Sequence, residues 1–196
     1  MNLKLRIFRI AILAGVSLIV LQGAAAGQNL ARYTFGKKHR AVFGFKAGII
    51  NRASFRLDGN SFETDAGWSL QTYWGIPVDS HLIFAPHIEL NDIQALEERQ
   101  WAIDIGLDLK YHIYNDKKSV SHKPGVGIGY GHLALMGFLE RSDYLTIRVF
   151  WEMTFFTRKR HAWLLDLTAY GAPVGGNDDY NVTYGPVVLV RLGVVY

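Results

Sequence analysis

In the run Trp101-Ala102-Ile103-Asp104-Ile105-Gly106-Leu107-Asp108-Leu109-Lys110-Tyr111-His112-Ile113 every odd position is apolar or aromatic. The even positions carry Asp104, Asp108, Lys110 and His112 with small residues between them. A period of two belongs to a β-strand with one apolar and one polar face, and a helix cannot sustain it. The same period runs from Ala41 to Ile50, where Phe43, Phe45, Ala47 and Ile49 oppose Gly44, Lys46 and Gly48. From Gly67 to Ile76 it sets Trp68, Leu70, Thr72, Trp74 and Ile76 against Ser69, Gln71 and Tyr73, and from His81 to Asn91 it sets Leu82, Phe84, Ile88 and Leu90 against His87 and Glu89. In the second half, Gly125 to Gly131 has one face made of glycine alone, opposite Val126, Ile128 and Tyr130. Leu145, Ile147, Val149, Trp151, Met153 and Phe155 alternate with Thr146, Arg148, Glu152 and Thr154; Trp163, Leu165 and Leu167 with Asp166 and Thr168. The last segment, Thr183 to Tyr196, has Tyr184, Pro186, Val188, Val190, Leu192, Val194 and Tyr196 on its apolar face. Eight such segments with their connections fill the chain, whereas ten would leave almost no loops. The expected fold is all-β: a closed, antiparallel, up-and-down barrel of eight strands.

Alternation alone does not choose between water and lipid as the outer solvent. The chemistry of the two faces does. The polar face is rich in glycine and carries Lys46, Glu89, Asp104, Asp108, Lys110, Arg148, Glu152, Asp166 and Arg191, a set suited to a packed lumen of mutually paired charges. The opposite face carries no charge over these segments and would be an apolar surface far larger than a soluble monomer tolerates. A charge facing the middle of a bilayer costs roughly 2 to 4 kcal/mol, so a charge-free face over eight strands reads as a lipid-facing surface. No 18-residue apolar run follows the N-terminal segment, and closed barrels are the remaining way to satisfy backbone groups in lipid.

Aromatic residues supply a ruler for that surface. Trp101 and Tyr111 share the apolar face ten residues apart, which at about 3.3 Å rise and a tilt of about 40° is roughly 25 Å along the membrane normal. Tyr184 and Tyr196 bracket the last strand in the same way, and Trp74, Phe155 and Trp163 fall near strand ends. These seven residues are the expected interfacial girdle.

Met1 to Arg9 is short and basic, Ile10 to Leu21 is apolar, and Ala24-Ala25-Ala26 follows. That is the layout of a cleaved secretory signal peptide, so residues 1–26 are expected to be removed and residues 27–196 to form one barrel domain. Three of the 21 basic residues, Lys4, Arg6 and Arg9, lie in the leader, which leaves 18 against 17 acidic ones. A nearly neutral mature chain gives no basis for binding nucleic acid. The absence of cysteine excludes disulfides, thiolate metal sites and a lipidated N-terminal cysteine.

The ending Val188-Leu189-Val190-Arg191-Leu192-Gly193-Val194-Val195-Tyr196 resembles the C-terminal signal strand of outer-membrane β-barrel proteins, with the alternate residues Val190, Leu192 and Val194 apolar and a final aromatic. With the leader and the alternation, the whole mature chain resembles the small OmpA/OmpX class. The resemblance implies export to the outer membrane of a Gram-negative cell and recognition of Val190, Leu192, Val194 and Tyr196 by the barrel-assembly machinery. Membrane lipid and lipopolysaccharide are the other expected partners, and the barrel is expected to be a monomer. Parity then puts both termini in the periplasm and the connections Asn51–Phe62, Asn91–Glu98, Gly137–Asp143 and Pro173–Asn181 outside. The turns Pro77–Ser80, Asn115–Lys123 and Arg158–Arg160 face the periplasm.

Seven histidines are present; neither His87 nor His112 has a second histidine or a carboxylate beside it in sequence at metal-ligand spacing, so each is expected as a lumen histidine hydrogen-bonded to a neighbour, and no metal or cofactor is expected. His87 and His112 point inward by parity; His39, His81, His122 and His161 fall in turns or at strand ends, as solvated surface. His132 falls on the lipid side near the outer rim, where lipid A deacylases of the outer membrane carry a His-x-Ser pair. Here the tripeptide is His132-Leu133-Ala134, without the nucleophilic hydroxyl, and no catalytic activity is expected. A narrow solute channel is the other alternative, opposed by a lumen of this width filled with charged side chains. The expected role is that of an integral barrel with a structural, adhesive or envelope-maintenance function exercised through its loops.

Overall fold

The computed structural model describes residues 41–79, 81–95, 98–113, 120–135, 142–156, 161–178 and 181–196. The expected signal peptide and His39 lie outside the described residues. Among the described residues there are nine strands: β1 (Val42–Ile50), β2 (Ser54–Leu57), β3 (Asn60–Pro77), β4 (Leu82–Ala95), β5 (Glu98–Tyr111), β6 (Val120–Leu135), β7 (Ser142–Phe156), β8 (Ala162–Gly176) and β9 (Val182–Val195). All pairings are antiparallel: β3 to β9 pair in chain order, β1 pairs with β3, and β1 also pairs with β9 from Gly44 opposite Val195 to Ile50 opposite Leu189. Eight strands therefore close into an up-and-down barrel with no free edge, as the alternation requires. The end at which β1 begins and β9 finishes is called the lower end below.

The ninth strand, β2, is an addition at the upper end. Asp58 and Gly59 both have positive φ, 47° and 86°, and form the two-residue turn that joins β2 to the start of β3. β2 also pairs with the top of β9, through Phe55 opposite Tyr184, so it continues the wall above β1 between β3 and β9, with Phe55 turned inward and buried. Ala53 anchors its base, its N–H donating to Thr64 Oγ1 at 3.0 Å while Thr64 N–H donates to the Ala53 carbonyl at 2.9 Å.

Strands also run further than the apolar pattern does. β4 extends to Ala95 and β5 begins at Glu98, so most of the loop expected at 91–98 is strand. β6 begins at Val120, which takes Lys123 out of the expected lower turn and into the sheet. Pairing continues beyond the apolar pattern because the backbone ladder does not depend on which side chains the strand carries, while outward residues there need not be apolar. The charge-free outer face is bounded accordingly. Asp143 and Asp65 face outward at the upper ends of β7 and β3, and outward Asp92 is buried between its register partners Trp68 and Trp101.

Between these limits the outer face is a band of exposed apolar side chains. Ile49, Leu192 and Val174 are each 65% exposed, and Phe45, Ile103, Leu107, Val126, Ile128, Ile147, Val149 and Val190 lie in the same belt. Such a surface is stable in lipid and not in water, which makes the molecule a membrane β-barrel.

Candidate functional site: the barrel lumen

Alternation turns every second residue of each strand inward, and the lumen is stacked in three levels. At the upper end an apolar cluster joins Ile50, Phe55, Tyr144, Tyr170, Val187 and Leu189, with Tyr184 packed on it. At the lower end Val42, Tyr73, Ala85, Leu164 and Val195 form a second cluster. The charged residues lie between these two plugs.

All nine residues expected to point into the lumen are there, each at most 2% exposed. Lys46, Glu152, Asp166 and Arg191 come from the first and the last three strands and meet at one level. Lys46 Nζ is 3.0 Å from Glu152 and 3.3 Å from Asp166, and the Arg191 guanidinium is 2.6 Å from Asp166. Above them, Glu89 accepts from Arg191 at 2.8 Å, Arg148 at 2.7 Å and Gln71 at 2.9 Å. Arg148 also donates to Asp104 at 3.0 Å, and Thr146 donates to the other oxygen of that carboxylate at 2.7 Å. Lys110 lies 2.8 Å from Glu152, with its ammonium 3.5 Å from the Tyr73 ring centroid. Each of these contacts is charge-assisted and shielded from water, the condition under which a buried ion is tolerated.

Two members of the network lie outside the nine charges expected from sequence. Lys123, read as a turn residue, is buried and donates to Glu152 at 3.3 Å and Thr154 at 2.6 Å. Among the described residues, the lumen thus holds five carboxylic side chains (Glu89, Asp104, Asp108, Glu152, Asp166) and five lysine or arginine side chains (Lys46, Lys110, Lys123, Arg148, Arg191). The second is His87. Sequence neighbours gave it no carboxylate, but β4 and β5 pair so that its ring lies across Gly106, between Asp104 at 3.5 Å and Asp108 at 3.4 Å. Asp108 differs from the other carboxylates in having only this histidine within ion-pair distance among the described residues.

The glycine face of β6 is what makes room for these groups. A Cβ on Gly127 would come within 2.9 Å of Arg148 Cγ, and one on Gly129 within 2.5 Å of Thr146 Oγ1. A β6 with side chains at those positions would displace Arg148 and Asp104 from each other.

On the outer face Trp74, Tyr111, Phe155, Trp163 and Tyr196 all lie toward the lower end, and Trp101 lies toward the upper end, edge-to-face with Trp68 at 5.2 Å. Val190, Leu192 and Val194 point outward above Tyr196 along the strand that closes the barrel. Tyr184 is a correction: it is not part of a girdle but packs inward, 5.9 Å from the Tyr170 ring. The bulge between Tyr170 and Ala172 in the β8–β9 ladder, with Gly185 at φ 104°, inserts a residue and reverses the parity of β9 above it. Of the histidines expected as solvated surface, His81 is exposed and His122 and His161 are half-buried, and each lies against an aromatic ring: His81 on Tyr111, His122 on Trp151, and His161 beside Trp163 and Tyr196. His132 faces outward near the upper rim and contacts Asp143, 2.7 Å away.

No protein-family model matches this chain, and no curated protein matches it. Its likeness is to solved structures. Neisserial surface protein A superposes with a TM-score of 0.54 at 15% identity, over 78% of this chain and 95% of that one. A major outer membrane protein of Thermus thermophilus gives 0.47 at 12% identity, covering 81% and 99%. Ail, the attachment invasion locus protein of Yersinia pestis, gives 0.43 at 12% identity, covering 80% and 99%. The superposition on Neisserial surface protein A, together with the closed eight-strand ladder, gives the chain the fold of the small eight-stranded outer-membrane barrels.

Proposed function

We propose that this chain is a sealed, monomeric barrel of the outer membrane whose role is structural, adhesive or in envelope maintenance. It carries no catalytic function and passes no solute. The observation that supports this reading most is the three-level lumen, in which two apolar plugs enclose a charge-paired middle layer. An ion entering from either side would have to displace an apolar cluster and then break contacts of 2.6 to 3.3 Å. What such a barrel offers its surroundings is the upper rim, where β2 and the ends of β3 to β5 and β7 stand beyond the apolar band.

In this reading both ends of the chain are periplasmic, residues 1–26 direct export and are removed, and Val190, Leu192, Val194 and Tyr196 serve assembly. Lipopolysaccharide and phospholipid are its solvent; nucleic acid, cofactor and metal have no part. The test is conductance of refolded protein in planar bilayers, with folding verified by a gel shift on boiling. Only baseline current is expected, and reproducible unitary conductance overturns the sealed lumen. Mass spectra of lipid A from cells with and without the protein address the enzymatic alternative. They are expected to be the same, since Ala134 supplies no hydroxyl beside His132.

A further inference from the structure

The outer wall is not smooth. At one height β8 is bulged opposite Thr146, between the pairs Leu145–Val174 and Ile147–Gly171, and β9 is bulged between the pairs Tyr170–Val187 and Ala172–Tyr184. Each bulge contains a proline, Pro173 or Pro186, which has no N–H to give to a ladder. Because the second bulge turns Tyr184 inward, the outward positions there are left to Ala169, Gly171 and the two prolines. The result is a cavity of about 460 Å³ in the wall, walled on one side by Ile147 and Val149 of β7 and overhung by Arg56 and Ser54 of β2. Ile147 and Val149 belong to the exposed apolar band, so the cavity opens toward lipid.

We propose that this recess is a binding site for one phosphorylated, acylated glycolipid of the outer leaflet, lipid A, with an acyl chain in the recess and a phosphate on Arg56. The choice of leaflet rests on the outer-membrane placement argued above. An apolar hollow gains little hydrophobic energy in a bilayer, because the displaced lipid tails are as apolar as the wall. Shape and charge must therefore select the occupant. The volume lies within the range of small-molecule sites, and a chain laid against Ala169 and Gly171 recovers the dispersion contacts that a void would forfeit. Arg56 is exposed directly above, and among the described residues no carboxylate lies within ion-pair distance of it. Its planar guanidinium presents paired donors suited to a phosphate, at the level where the headgroups of the outer leaflet begin.

Native mass spectrometry of the detergent-solubilised full barrel tests this, with lipid A, dephosphorylated lipid A and phosphatidylglycerol added in turn. Wild type is expected to retain one lipid A and to hold it at least tenfold more tightly than either competitor. Ala169→Phe, which fills the recess from the lipid side, is expected to lower lipid A affinity at least tenfold. Arg56→Gln is expected to bring lipid A down to the level of its dephosphorylated form. Retention by Ala169→Phe within twofold of wild type overturns the site, as does equal retention of phosphatidylglycerol. Should Ala169→Phe fail the gel-shift test for folding, Arg56→Gln decides alone, since it changes an exposed side chain. Conductance is unaffected by any of these outcomes, so failure here and failure of the sealed lumen are separate results.

Discussion

Replacing Arg191 by Leu is the sharpest perturbation of the lumen. The guanidinium is 1% exposed and contacts Asp166 at 2.6 Å, Glu89 at 2.8 Å and Thr168 at 3.0 Å. Removing one partner of a buried pair costs about 3 to 5 kcal/mol, chiefly because the other charge is left without compensation. Here the abandoned carboxylates keep other cations, Asp166 its Lys46 at 3.3 Å and Glu89 its Arg148 at 2.7 Å, so a loss of about 3 kcal/mol is expected, at the low end of that range. Adding Asp166→Asn removes a charge that has lost its best partner and should restore about 1 to 2 kcal/mol. Asp108→Asn is the control at equal burial: among the described residues its carboxylate has only His87, at 3.4 Å, within ion-pair distance, so it should change stability by less than about 1 kcal/mol. Urea unfolding of the four proteins in lipid vesicles, extrapolated to zero denaturant, supplies the numbers. If Arg191→Leu costs no more than Asp108→Asn, pairing does not hold this lumen together.

The folded barrel should migrate differently on gels before and after boiling, because a closed ladder leaves no edge for detergent to open; identical migration of refolded protein would count against closure. Tyr196→Ala should lower the yield of barrel in the outer membrane severalfold while shifting the urea midpoint of refolded protein only slightly, and unchanged yield removes the assembly role. His112 lies just beyond β5 at the lower mouth, where burial, and then the nearby Lys123 ammonium, push its imidazole down to about 4. Its folded value is below its unfolded one, so its contribution is present above about 6.5 and is lost as pH falls from there toward about 4. His112→Asn should therefore flatten the stability profile in that window, and an unchanged profile sinks the assignment.

The strand count, the closure and the inward set of nine charges were legible because a two-residue period fixes which face each residue takes, and lipid forbids charge on one of those faces. Parity could not follow the chain through a bulge. Tyr184 was misplaced because Gly185 lengthens β9 by one residue against β8, and nothing in the local pattern of apolar residues marks that insertion. Lys123 was lost for another reason: Val120 to Lys123 lies below the apolar band, where outward residues need not be apolar and alternation fades. His87 was read without its carboxylates because they lie on the neighbouring strand, at a sequence distance that only register reveals. The β2 hairpin could have been found, since Asp58-Gly59 between Phe55-Arg56-Leu57 and Asn60-Ser61-Phe62 is a strong two-residue turn signal.

The charged middle layer also bears on how the barrel keeps its register. Inside a bilayer there is no hydrophobic gain in turning an apolar side chain inward, so burial alone cannot tell the two faces of a strand apart. Charge can. A slip of β9 by one residue against β8 or β1 would send Arg191 into lipid, at roughly 2 to 4 kcal/mol, and would also leave Asp166 and Glu89 short of a partner. β9 is the strand where this matters most, because it closes the sheet and its lower half has only small or aliphatic residues beside Arg191: Leu189, Gly193 and Val195. The plugs above and below can be apolar because the charges between them have already fixed which face is inside. An interior of aliphatic residues alone would pack as densely but would leave the closing strand free to settle in either register.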